Sequence, residues 1–159
     1  MKKIASFTVN HLELLRGVYI SRIDHCGDHS ITTFDIRMKE PNREPVINTA
    51  ELHTLEHIGA TYLRNDPVLS DEIVYFGPMG CRTGFYLLMK GNLTPKEIMP
   101  LVLKLYSFMA EFDEAIPGAD PRDCGNYLDM NLPMARYEAN KFLAEVLENI
   151  QPENMNYPQ

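Results

Sequence analysis

Apolar and polar positions alternate through residues 18–38, with Val18, Tyr19, Ile20 and Ile23 before a Gly27-Asp28 turn signal and Ile31, Thr32, Thr33, Phe34 and Ile36 after it. Alternation with a period of two marks strands with one face buried, so the segment predicts an antiparallel pair. Pro41-Asn42-Arg43-Glu44-Pro45 then breaks the pattern as a loop. A helix is expected over 49–65, because Asn48 and Glu51 have capping spacing and Gly59 is the only Gly or Pro between Glu51 and Arg64. Strand patterns return at 71–76 and 84–89, flanking Gly77-Pro78-Met79-Gly80-Cys81-Arg82-Thr83.

Thr94-Pro95-Lys96-Glu97 combines a capping box with proline at the first helical position, and Ile98, Leu101, Val102, Leu105, Phe108, Met109 and Phe112 follow at helical spacing. A second helix is therefore placed at 95–114 and, after a loop over 117–125, a third at 133–150 through Ala135, Phe142, Leu143, Val146, Leu147 and Ile150. Residues 151–159 carry no such pattern and are expected to fray. Strand, strand, helix, strand, strand, helix, helix is the order of an α+β fold: an antiparallel sheet with helices packed on one face, in a single domain spanning 1–159.

A chain of 159 residues with 45% hydrophobic content suits one domain. The net charge of −7 argues against nucleic acid, whose phosphates call for a basic patch. No stretch reaches the roughly 20 apolar residues of a membrane span, and the first ten residues are too polar for a signal-peptide core, so a cytoplasmic location is expected. Three cysteines, Cys26, Cys81 and Cys124, form no paired spacing and are read as thiols or metal ligands rather than a disulfide framework.

The chemistry concentrates in His53-Thr54-Leu55-Glu56-His57. Helical positions four apart share a face, so both imidazoles can reach one cation with Glu56 beside it as an acid or base. Catalytic sites of this kind take three protein ligands and leave a position open. Candidates for the third are Cys26, Cys81, Cys124, His11, His25 and His29; Cys124 stands out because Gly125 would permit close backbone approach to an ion. Cys81 lies in a turn between strands and reads either as an inert small hydrophobe or as a thiol whose reactive thiolate Arg82 would favour.

Ser6-Phe7 with His11, Phe34-Asp35-Ile36-Arg37, the histidine motif, the segment from Pro78 through Cys81 to Leu87, and Cys124-Gly125 occur in the order and approximate spacing of the S-ribosylhomocysteine lyase (LuxS) family, which the chain resembles over residues 6–150. The resemblance implies one divalent metal per chain, iron(II) with zinc or cobalt as substitutes, held by His53, His57 and Cys124. It implies cleavage of S-ribosylhomocysteine to homocysteine and 4,5-dihydroxy-2,3-pentanedione, the autoinducer-2 precursor, with Cys81 and Glu56 moving protons. Arg37, which taken alone at the end of a strand reads as a surface charge, would with Ser6 and His11 line the substrate pocket, and Asp35 would orient it. A homodimer with sites between its subunits is also implied.

Three features depart from the family's usual pattern: Asn10 where an acidic residue is common, Gly77 where serine is common, and residues 126–130. Two other readings compete, a non-catalytic metal-binding module of the same fold and a metallopeptidase of the inverted-zincin kind.

Overall fold

The computed structural model describes residues 1, 2, 4 and 7–158. Strands Gly17–Cys26 (β1), His29–Arg37 (β2), Ile73–Pro78 (β3) and Gly84–Lys90 (β4) form one antiparallel sheet in the order β1-β2-β4-β3. Helices Thr49–Arg64 (α1), Pro95–Glu111 (α2) and Leu132–Glu145 (α3) accompany it. Register sets Phe34 opposite Leu87 and Ile36 opposite Phe85, and these side chains join Leu55 and Ile58 of α1, Val102 and Leu105 of α2 and Phe142 of α3 in the buried core. Among the described residues no helix is long and apolar enough to cross a membrane.

The elements match the expected order, with shifts at their ends. The third strand was expected at 71–76, but Ser70–Glu72 is a 3-10 turn and the strand starts at Ile73, the first residue paired with β4. Asp66 causes this by accepting hydrogen bonds from the Val68 and Leu69 N–H groups, which winds the chain before it can extend. Helix α2 stops at Glu111 rather than 114, since Phe112 turns to extended backbone and is buried in the core. Helix α3 stops at Glu145, and 3-10 turn Leu147–Asn149 follows, with Val146 and Leu147 buried. At α1, Asn48 makes no side-chain cap; its amide instead donates to Glu51 at 3.3 Å.

Residues 151–158 are not frayed. Asn154 donates to the Arg16 carbonyl at 2.9 Å, and the ring of Tyr157 stacks on Tyr19 with centroids 4.8 Å apart. Gly17 allows this docking, because a Cβ there would collide with the Asn154 backbone. The segment thus covers part of the sheet face that carries no helix, where Tyr19 and Tyr86 flank Asp35 from the neighbouring strands. Gly77 on this face is explained by Tyr75, whose phenol occupies the space a side chain would need.

Lys39, just past β2, is 5% exposed and lies 2.6 Å from Glu138 of α3. Removing one partner of a buried pair leaves the other charged and desolvated. Lys39→Ala should therefore lower unfolding stability by about 3 kcal/mol, measured by urea titration.

Candidate metal centre and thiol cavity

His53 and His57 stand one turn apart on α1, with ring centroids separated by 4.6 Å. Their Nδ1 atoms face backbone carbonyls, of Asp129 at 3.0 Å and of Pro117 at 2.7 Å. A carbonyl can only accept, so each Nδ1 carries the proton and each Nε2 presents its lone pair. Cys124 Sγ lies 3.5 Å from His53 Nε2, and the donor atoms of His53, His57 and Cys124 all fall within 4.8 Å of one another. Two imidazoles braced from behind and one sulfur suit a late divalent metal.

Separate segments bring these donors together. Thr54 of α1 accepts the Asn131 N–H at 2.9 Å, while the Asn131 amide reaches buried Glu51 at 3.2 Å, so the loop before α3 is fastened to the motif helix. Within that loop the Cys124 N–H donates to the Asp120 carbonyl, and the Asn126 N–H donates to the sulfur at 3.4 Å. A side chain at Gly125 would meet no protein atom within 4 Å, and the backbone group that approaches the sulfur is the Asn126 N–H. Glu56 is half-buried on α1 and makes no hydrogen bond or ion pair among the described residues.

A second cluster lies on the helix-free sheet face, around a cavity of about 260 Å³ lined by His11, Asp35, Arg37, Cys81, Tyr86 and Tyr157, among others. Arg37 is not a surface charge at a strand end; it is 4% exposed. Its Nη2 donates to Asp35 Oδ2 at 2.5 Å, and its Nη1 donates to Thr83 Oγ1 at 2.5 Å and faces Cys81 Sγ at 3.7 Å. Burial alone would lower the guanidinium's proton affinity, but the Asp35 charge and hydrogen bond outweigh it and hold the group firmly protonated.

Partial burial pushes the Cys81 thiol up, yet hydrogen bonds from Thr83, whose Oγ1 is 3.1 Å away, together with the Arg37 charge hold it below the ordinary thiol value. The positive neighbour is thus Arg37 rather than the expected Arg82. Arg82 adopts a φ of 59° in the turn, and its carbonyl accepts the Ile47 N–H.

A sequence model of the family described as S-Ribosylhomocysteinase (LuxS) matches residues 4–153. The chain belongs to this family. A Clostridium beijerinckii protein named S-ribosylhomocysteine lyase is 63% identical to it over 99% of both chains. Proteins of the same name from Clostridium acetobutylicum and Porphyromonas gingivalis are 61% identical over the whole of both chains and 57% identical over 99% of both.

Against the residues that the family resemblance implied, the structure brings His53, His57 and Cys124 into one cluster and His11, Asp35, Arg37 and Cys81 into another, with no residue shared. Ser6 lies outside the described residues. The other candidate ligands Cys26, His25 and His29 sit at the exposed end of the β1-β2 hairpin, where His25 Nδ1 meets Ser30 Oγ at 3.0 Å. Asn10 accepts the Leu12 N–H through its side-chain oxygen, which an aspartate could do equally.

Thr83, Tyr86 and Tyr157 went unnoticed in the sequence. Thr83 and Tyr86 stand within the Cys81 segment, whereas Tyr157 gave no signal beyond one aromatic residue in a polar tail.

A thiol whose folded value is depressed becomes thiolate at lower pH than a free one, so Cys81 alkylation by iodoacetamide should reach its midpoint below about pH 8.5. Thr83→Val, which removes a donor to the sulfur, should move that midpoint upward. Peptide mass spectrometry at Cys81 across a pH series measures both.

Proposed function

We propose that the chain is a metal-dependent lyase that converts S-ribosylhomocysteine to homocysteine and 4,5-dihydroxy-2,3-pentanedione. The observation that carries this reading is a three-donor cluster in a chain that also holds a depressed thiol in a cavity. Structural zinc sites take four protein donors, whereas three with a free position suit catalysis. Family membership supports the same substrate, and it leaves the inverted-zincin peptidase reading without an observation of its own.

His53, His57 and Cys124 are the residues we assign to hold one divalent ion, iron(II) with zinc or cobalt as substitutes. When bound, the ion supplies a Lewis acid that polarises a sugar carbonyl and acidifies the adjacent C–H. The reaction moves the carbonyl from C1 to C2 and then to C3. Each move takes a proton from one carbon and returns a proton to its neighbour, with no net change in atoms or electrons. Removal of a proton from C4 then expels the sulfur on C5, and the thiolate leaving group takes up a proton.

Cys81 serves the early transfers, as a thiolate that takes a proton and a thiol that returns it, and its depressed value supports the first half of that cycle near neutral pH. Glu56, free of hydrogen bonds among the described residues, serves the later ones near the elimination. Successive C–H protons leave from different carbons, which one rigid group would not reach. Arg37 and His11 hold substrate polar groups, together with Ser6, and Asp35 orients Arg37.

The thiol cavity and the metal cluster draw on different residues, and this supports a homodimer in which each site combines one cluster from each chain.

Homocysteine release from S-ribosylhomocysteine by metal-loaded protein tests the reading, with Cys81→Ala expected to lose roughly 10²–10⁴-fold in turnover. Mixing and refolding Cys81→Ala with His57→Ala at equal concentration tests the shared site. Random pairing should restore about a quarter of wild-type activity, because half the dimers then carry one intact site. No turnover by metal-loaded wild-type protein would contradict the lyase reading; no recovery on mixing would contradict the shared site.

A further inference from the structure

The helix-free sheet face holds a chain of contacts that ends on the reactive thiol and begins outside the strands. The Tyr157 hydroxyl donates to Asp35 Oδ2 at 2.8 Å, and Arg37 Nη2 donates to that same oxygen. Among the described residues Asp35 Oδ1 is buried without a partner, so within that set Tyr157 and Arg37 are the groups whose hydrogen bonds fix the carboxylate. Arg37 Nε likewise lacks a partner among the described residues, which leaves Asp35 and Thr83 to set the plane of the guanidinium that faces Cys81.

The Tyr157 ring stacks nearly parallel on Tyr19, at an interplanar angle of 9°, and lines the same cavity as the thiol. Its phenol stays a donor at all ordinary pH values, since burial and then the Asp35 charge raise it well above the usual tyrosine value.

We propose that Tyr157 is a positioning residue for the thiol chemistry: its hydroxyl anchors Asp35, Asp35 sets Arg37, and Arg37 stabilises the Cys81 thiolate. Without that hydroxyl, Arg37 is the one donor left to Asp35 Oδ2 among the described residues, and the carboxylate draws the guanidinium toward itself, away from the sulfur. The thiolate then loses part of its positive neighbour, and the thiol titrates at higher pH. Besides Tyr157, the titratable and charged groups facing Cys81 among the described residues are Asp35 and Arg37 from β2, Tyr86 from β4 and His11 from the N-terminal segment, with Arg82 beside it in the turn. Of these, Arg37 makes the charged contact with the sulfur.

The catalytic meaning of this device rests on the assignment of Cys81 to proton transfer, but its test does not. Iodoacetamide alkylation of the full-length, metal-loaded protein, read at the Cys81 peptide by mass spectrometry across a pH series, reports on the thiol without substrate or turnover. A chain with no lyase activity would still answer the question.

Tyr157→Phe keeps the ring and its stack on Tyr19 while removing the donor. The account expects Cys81 to be modified about threefold or more slowly at neutral pH, with the midpoint moved upward. Tyr19→Phe is the control, because the Tyr19 hydroxyl bonds the Leu15 carbonyl and touches Glu153 but does not reach Asp35. It should leave the midpoint in place. Thermal melts by circular dichroism restrict the comparison to temperatures at which both variants are folded. An unshifted profile in Tyr157→Phe would overturn the proposal, and so would an equal shift in Tyr19→Phe, which would trace the effect to general loosening of the segment.

Discussion

Burying Asp35 and Arg37 on the sheet face that carries no helix requires partners for both, and separate parts of the chain supply them. The pair comes from alternate positions of one strand, so its geometry is set by the pleat. Tyr19 and Tyr86 wall Asp35 in from the flanking strands, Thr83 receives one arm of the guanidinium, and Tyr157 donates to the same carboxylate oxygen as Arg37. Breaking a buried pair of this kind typically costs about 3–5 kcal/mol, a large share of a small domain's stability. The same arrangement leaves Arg37 facing the sulfur of Cys81, so the pair buried on this face of the sheet also places a positive charge beside the thiol.

The metal-donor cluster obeys a separate constraint. A helix can aim two imidazoles in one direction, but it cannot fix their tautomers; that is done by the carbonyls of Pro117 and Asp129, far along the chain. Thr54 and Glu51 hold the incoming loop through Asn131, so the motif helix both supplies two donors and locates the segment that brings the third. Residues 126–130, which depart from the usual family pattern, act here largely through backbone groups. The Asn126 N–H touches Cys124 and the Asp129 carbonyl touches His53, and neither contact depends on a particular side chain.

What the sequence revealed follows from which forces are local. Strand alternation, the helix start at Thr94 and the one-face placement of His53 and His57 are set by neighbours a few positions apart, and the structure agrees with all of them. The Glu97 carboxylate accepts from the Thr94 N–H, as the capping pattern implies, and also takes a bond from the Thr94 hydroxyl. The misses are contacts across the chain. Arg37 read as a surface charge because nothing nearby in sequence announces Thr83 or Tyr157, and 151–158 read as frayed because its order comes from Gly17 and Tyr19 rather than from its own propensities. Adjacency points to Arg82 as the thiol's cation, whereas the sheet register selects Arg37.

The account turns on Cys81 standing off the metal as a proton carrier while Cys124 is the single sulfur ligand. X-ray absorption spectroscopy of the metal-loaded protein tests this directly, since a sulfur shell at about 2.3 Å separates from imidazole nitrogen at about 2.0–2.1 Å. One sulfur and two imidazole nitrogens, unchanged in Cys81→Ala, is the predicted result. Two sulfurs in the wild type, falling to one in Cys81→Ala, would make Cys81 a ligand and contradict its assignment as the base.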